Sequence, residues 1–139
     1  MISKPTLDFA PLGRAIDRLE EGLQQASSRP DDGLLRDGVI QRFEFTYELC
    51  WKLLLQHLES VWPDPSELEG VSFPALIRHG RDHGLLRSGL ELWKDFRQAR
   101  GVTSHIYDED KSLEVFAMIP GFLEEARFLF LQLRSVDSG

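Results

Sequence analysis

Cysteine is nearly absent: Cys50 is the single thiol among 139 residues. One thiol closes no disulfide within a chain, so the fold has to be held by packing, and a reducing compartment, the cytoplasm, is expected. Cys50 lies in an apolar helical run and reads as a small buried hydrophobe rather than a nucleophile. Long apolar runs are also missing. Nothing approaches the ~20 residues that span a bilayer, so no membrane partner is expected. Met1 to Leu7 holds one lysine and no apolar stretch, which excludes a signal peptide there. Alternating strand patterns, internal repeats and low-complexity segments are absent. Positive charge is in deficit: 16 Lys and Arg stand against 23 Asp and Glu, a formal net charge of −7. Nucleic-acid binding rests on neutralising phosphates, so the overall field opposes it. Any such role needs a local basic site.

What is present is helical periodicity. Phe9, Leu12, Ile16, Leu19 and Leu23 recur at spacings of three and four, which predicts a first helix from about Asp8 to Ser27. The turn residues Ser27 to Gly33 make a loop. A second helix is expected from about Leu34 to Val61, roughly 40 Å long at ~1.5 Å per residue. It carries two apolar stripes. Ile40, Phe43, Tyr47, Cys50, Leu54 and Leu58 form one; Phe45, Leu49 and Leu53 form the other. A helix apolar over that much of its girth is covered on two sides, by its own bundle and by a partner subunit. Trp62 to Pro65 ends it.

A third helix is expected over about Phe73 to His83, capped by Ser72 with Pro74 in its first turn. A fourth is expected over about Gly89 to Arg100, with Ser88 as cap and Gly101 as the residue that closes it. A connector to Tyr107 follows. The last helix, about Asp108 to Arg134, starts on three acidic residues that suit a helix N-terminus. Pro120-Gly121 is expected to kink or break it. The whole chain, 1–139, thus reads as one all-α domain, an up-and-down bundle of four to five helices forming a homodimer.

Chemistry concentrates in Arg97 to Tyr107. Residues 78–100 hold Arg78, Arg81, Arg87, Lys94, Arg97 and Arg100 against Asp82, Glu91 and Asp95, a basic stretch in an acidic chain. Two readings fit it: a functional patch, or one basic face of an ordinary bundle. Arg100 and His105 are five residues apart, about 140° around an unbroken helix, and so do not converge on one ligand. A break at Gly101 would let His105 swing back; two copies facing each other are the alternative. A histidine moves protons near neutral pH and an arginine holds a phosphate, a pairing suited to cleavage of RNA phosphodiesters. Arg97 and Ser104 are candidate RNA or phosphate contacts. No metal site and no cofactor are expected, since no acidic or thiol group completes the pair His79 and His83. Glu44, Glu48 and Lys52 read as a charge row along one helix. Tyr107 by itself reads first as a packed aromatic with a wet hydroxyl.

Two stretches carry a family resemblance. Asp37 to Lys52 (DGVIQRFEFTYELCWK) and the later Trp93 with Thr103-Ser104-His105-Ile106-Tyr107 resemble the two signatures of the nucleotidyltransferase substrate-binding family, which includes the HepT toxins of the HEPN superfamily. The resemblance covers about Phe9 to Leu133. It implies a metal-independent endoribonuclease toxin, homodimeric, silenced by a separate minimal nucleotidyltransferase antitoxin. It implies Arg100 and His105 as the catalytic pair and Tyr107 as the acceptor of AMP from the partner. The alternative it carries is a non-catalytic subunit that binds substrate or nucleotide for that partner; a dimeric interaction module is a third. The family usually has a polar residue after the motif arginine; here it is Gly101.

Overall fold

The computed structural model describes residues 7–138, so most of the segment read above for a signal peptide lies outside the described residues. Five α-helices follow one another, with a 3₁₀ turn at Pro65–Leu68 and another at Thr103–His105. They are α1 (Ala10–Ser28), α2 (Gly33–Val61), α3 (Phe73–Asp82), α4 (Leu90–Val102) and α5 (Glu109–Ser138). No strand occurs among the described residues. The class is all-α, as periodicity requires. No described helix is long and apolar enough to cross a membrane.

Local chemistry places the ends. Asp32 Oδ1 accepts the amide of Leu35 at 2.9 Å and starts α2. Ser72 Oγ accepts the amide of Ala75 at 3.3 Å and starts α3, with Pro74 in its first turn. Gly84, at φ +72°, supplies the left-handed residue that follows α3. Asp108 Oδ1 accepts the amide of Asp110 at 3.0 Å at the head of α5.

Long helices α1, α2 and α5 pack on one another, and α4 lies across α2 and α5. An edge-to-face aromatic cluster locks that layer. Phe43 of α2 meets Phe122 of α5 at 4.9 Å, and Phe122 meets Phe96 of α4 at 5.3 Å. Trp93 meets Phe96 at 5.2 Å. Such pairs contribute about 0.5–1.5 kcal/mol each beyond their buried area. Trp93, Phe96 and Ala99 form the buried stripe of α4, which turns Arg97 and Arg100 towards its rim. The start of α4 is fixed by α5: the buried Glu125 accepts the Ser88 amide at 3.1 Å and Arg87 Nε at 2.9 Å. The hydrogen bond and charge of Glu125 hold the Arg87 guanidinium above its usual pKa.

Three expectations about helix ends are corrected. Pro120 does not break α5, which runs unbroken from Glu109 to Ser138. Pro120 and Gly121 are exposed, so the carbonyl left without a donor lies on the solvent side, while buried Ile119, Phe122 and Leu123 hold the helix to the core. Gly101 does not close α4, which continues to Val102. Nothing lies within 4 Å of where a Gly101 side chain would start, so neither packing nor backbone strain forces a turn there. Ser88 does not cap α4; the residue before the helix is Gly89, and no side chain bonds there.

Candidate functional site

The site is built where α4 ends against the middle of α2. Glu44 and Glu48 lie one turn apart on α2 and both reach α4. Arg100 Nε donates to Glu48 Oε1 at 2.9 Å. Its Nη1 donates to Thr103 Oγ1 at 3.1 Å and stands 3.5 Å from Glu44 Oε1. Thr103, buried, closes the ring: its hydroxyl lies 2.5 Å from Glu44 Oε1 and 2.7 Å from the Arg100 carbonyl. The Thr103 hydroxyl has one proton and therefore donates to one of these oxygens at a time. Arg100 is about one-third exposed, held along its length with one edge open to solvent.

Beyond Thr103 the chain tightens into the 3₁₀ turn, and the Asp108 amide donates to the His105 carbonyl at 3.1 Å. Ser104 and His105 are exposed on that turn, and Tyr107 follows at 85 % exposure. The rings of His105 and Tyr107 stand edge to face with centroids 6.0 Å apart. Arg97, one turn before Arg100, is exposed and stacks its guanidinium 4.7 Å over the ring of Phe73 on α3.

Of the residues singled out from sequence, His105 and Tyr107 come together. Arg97 and Arg100 flank them on α4. Arg100 and His105 make no contact with each other; the arginine turns inward to α2 and the histidine outward. Because α4 passes through Gly101, the swing of His105 back over the helix end does not occur. Three groups were not singled out for this site: Glu44, Glu48 and Thr103. The two carboxylates read as a row paired along α2, yet they bind an arginine on another helix. All three fall within the two stretches that carry the family resemblance, and that is the available signal.

Tyr47 lies beneath the site, against Phe43 and Phe122. Burial pushes its phenol up to about 12; Arg97 and Arg100 pull the other way, and Glu48 adds to the rise. Cys50, one turn further along α2, is buried, and burial alone drives its thiol well above the usual range. The thiol is thus kept protonated and is inert as a nucleophile. His79 and His83 stand against Trp62, at 4.6 and 5.7 Å between centroids. No group of three or more His, Cys, Asp or Glu that could hold a metal gathers among the described residues.

Residues 7–135 match the model of the family described as nucleotidyltransferase substrate binding protein like. The chain belongs to that family. Within it, the chain is 32 % identical over 136 residues to a probable ribonuclease HepT of Haemophilus influenzae, covering 92 % of each. A solved Haemophilus influenzae structure, reported as the fold of a substrate binding domain of a nucleotidyltransferase, superposes with a TM-score of 0.86 at 32 % identity. That match covers 91 % of this chain and 99 % of the other. A Thermus thermophilus structure matches with a TM-score of 0.69 at 30 % identity, over 88 % and 98 % of the two chains. The family's helical fold is therefore the fold of this chain.

Proposed function

We propose that this chain is a HepT-like endoribonuclease toxin that works as a homodimer in the cytoplasm, controlled by a minimal nucleotidyltransferase. The carrying observation is the order along one helix end: a held arginine, then a free histidine, then a free tyrosine. In the reaction the 2′-oxygen of a ribose attacks the adjacent phosphorus, and the bond to the 5′-oxygen breaks. One proton leaves the 2′-hydroxyl and one arrives on the 5′-oxygen. His105 carries one of these transfers, since an imidazole exchanges protons near neutral pH. Arg100 offsets the charge that builds on the phosphoryl oxygens. Arg97 and Ser104 hold neighbouring phosphates or sugars. Tyr107 takes AMP from the partner; the added phosphate puts negative charge and bulk beside His105 and repels RNA.

One observation favours a second reading, the non-catalytic subunit that presents substrate to the nucleotidyltransferase. Glu44 and Glu48 already offset the charge of Arg100. The deciding experiment starts from purified chain shown by intact mass to carry no AMP, incubated with varied RNAs. The toxin reading expects products ending in a 2′,3′-cyclic phosphate or its hydrolysis product. Uncut RNA with unmodified protein removes that reading and leaves the subunit.

A further inference from the structure

Six cations fall between residues 78 and 100, and the fold divides them. Arg87 pairs with Glu124 and Glu125, and Arg100 with Glu44 and Glu48. Arg78, Arg81, Lys94 and Arg97 make no ion pair with any described residue. These four sit on two helices that run antiparallel. At one end Arg97 of α4 stacks on Phe73 of α3. At the other, the guanidinium of Arg81 lies 3.1 Å from where a side chain of Gly89 would begin. Between these ends lies a cavity of about 530 Å³ lined by Pro74, Ile77, Arg78, Arg81, Asp82 and Leu90. Lys94 and Arg97 follow Leu90 by four and seven residues and share its face of α4. Arg78 and Arg81 share a face of α3 in the same way. The groove therefore has two cationic rails, with Asp82 at its far end.

From this we infer that the α3–α4 groove is a phosphate-binding track that holds the RNA backbone outside the scissile bond, which rests on the ribonuclease reading. Leu90 to Arg97 spans about 10 Å of helix axis, and the track ends one turn short of Arg100. Its four cations are unpaired, with Asp82 the one acid in the lining, inside a chain of net charge −7. The rest of the surface repels a polyanion, and the groove then fixes where the strand lies as well as how tightly. The track reads phosphates and not bases, because long cationic side chains over an aliphatic floor offer no fixed base-edge partners.

Arg78 and Lys94 are exposed and lie outside the hydrophobic core, so Arg78→Ala/Lys94→Ala is the test variant. Its ligand is a fluorescent single-stranded RNA with every 2′-hydroxyl methylated, which cannot be cut. Fluorescence anisotropy is read across a salt series. The expected result is at least a tenfold loss of affinity at low salt, with the salt slope smaller by about 0.7 for each charge removed. Arg14→Ala/Arg29→Ala, which removes equal charge elsewhere, should leave both unchanged. Equal losses in the two variants, or unchanged affinity and slope in the first, overturn the track. So does weakened capture of the nucleotidyltransferase with RNA binding intact, which would make the groove a protein contact. A wild-type chain that binds the methylated RNA through these cations yet cuts no RNA supports the track and removes the ribonuclease reading. One that cuts RNA without needing Arg78 and Lys94 for affinity does the reverse.

Discussion

Arg100 donates from Nε to Glu48 across 2.9 Å, and the pair joins the end of α4 to the middle of α2. With Glu44 and Thr103 added, the guanidinium has a fixed plane and a reduced field. Both properties bear on a phosphate. A fixed plane orients the donors for a developing charge, whereas two carboxylates weaken attraction to the resting anion.

Replacing both acids, Glu44→Gln and Glu48→Gln, separates these effects. RNA should bind more tightly, because Arg100 loses its counter-charges. Turnover should fall, because the guanidinium is no longer aimed; misplacement by ~1 Å costs up to about 10²-fold. Steady-state kinetics check this: KM and kcat should both drop. A drop in neither removes the positioning role.

His105→Ala should abolish cleavage by about 10²–10⁴-fold, the span of general acid–base catalysis. Arg100→Ala should be comparably damaging. Both variants should keep the helical circular-dichroism spectrum, since His105 is exposed and the aromatic core of α4 is untouched. Cleavage should persist in chelator and stop on a 2′-deoxy sugar at the scissile position.

Tyr107→Phe removes only a phenol oxygen on a side chain already 85 % exposed. Cleavage should continue at the wild-type rate, while co-incubation with the nucleotidyltransferase and ATP should no longer add mass or stop cutting. Mass added to the variant at an unchanged level would move the acceptor to another residue.

Phe45 and Trp51 on α2 are each 39 % exposed. Trp51 lies about 120° round the helix from Phe45, which is the uncovered part of the second apolar stripe. A homodimer built on that face should bury upward of ~2,000 Å². Phe45→Ser should halve the mass read by light scattering. A wild-type chain that is monomeric at every concentration would remove the dimer.

Tyr47 makes stability fall at alkaline pH. Its phenol is held at about 12 in the folded chain against 10.0 when free, because burial disfavours the phenolate. The unfolded chain therefore loses this proton first. The contribution is intact below pH 10 and is lost as pH rises from there through about 12. The loss amounts to roughly 2–3 kcal/mol in all. Urea midpoints measured up the pH scale should show it, and Tyr47→Phe should remove part of that limb, the buried Cys50 thiol contributing the same kind of loss.

Much of this fold is legible in the residues. The stripes on α1 and α2 and the cap Ser72 lie where sequence spacing puts them, whereas Asp32 reads there only as a loop residue and turns out to cap α2. Two of the three misplaced ends share a cause: the sequence prints Pro120 and Gly101 but not which side of the helix they face. Both sit towards solvent, where their usual penalty is tolerated while neighbours on the inner face stay packed. The site divides in the same way. His105 and Tyr107 are close in the chain and are found from it. The Arg100–Glu48 pair joins residues 52 apart, and spacing along one helix cannot reveal a partner on another.

The buried Glu125 has a consequence for how α4 moves. A helix of 13 residues is by itself marginal in water and frays from its ends. Here each end is latched by a carboxylate from a different neighbour: Glu125 of α5 at Ser88, and Glu44 with Glu48 of α2 at Arg100. Fraying is thereby closed off at both ends, and the helix opens only when the bundle does. Amide hydrogens of α4 should then exchange at the slow, global rate up to Thr103, and far faster from Ser104 onward. The arginine is mounted on a clamped beam; the histidine and tyrosine ride on the short exposed span between its last bolt and α5.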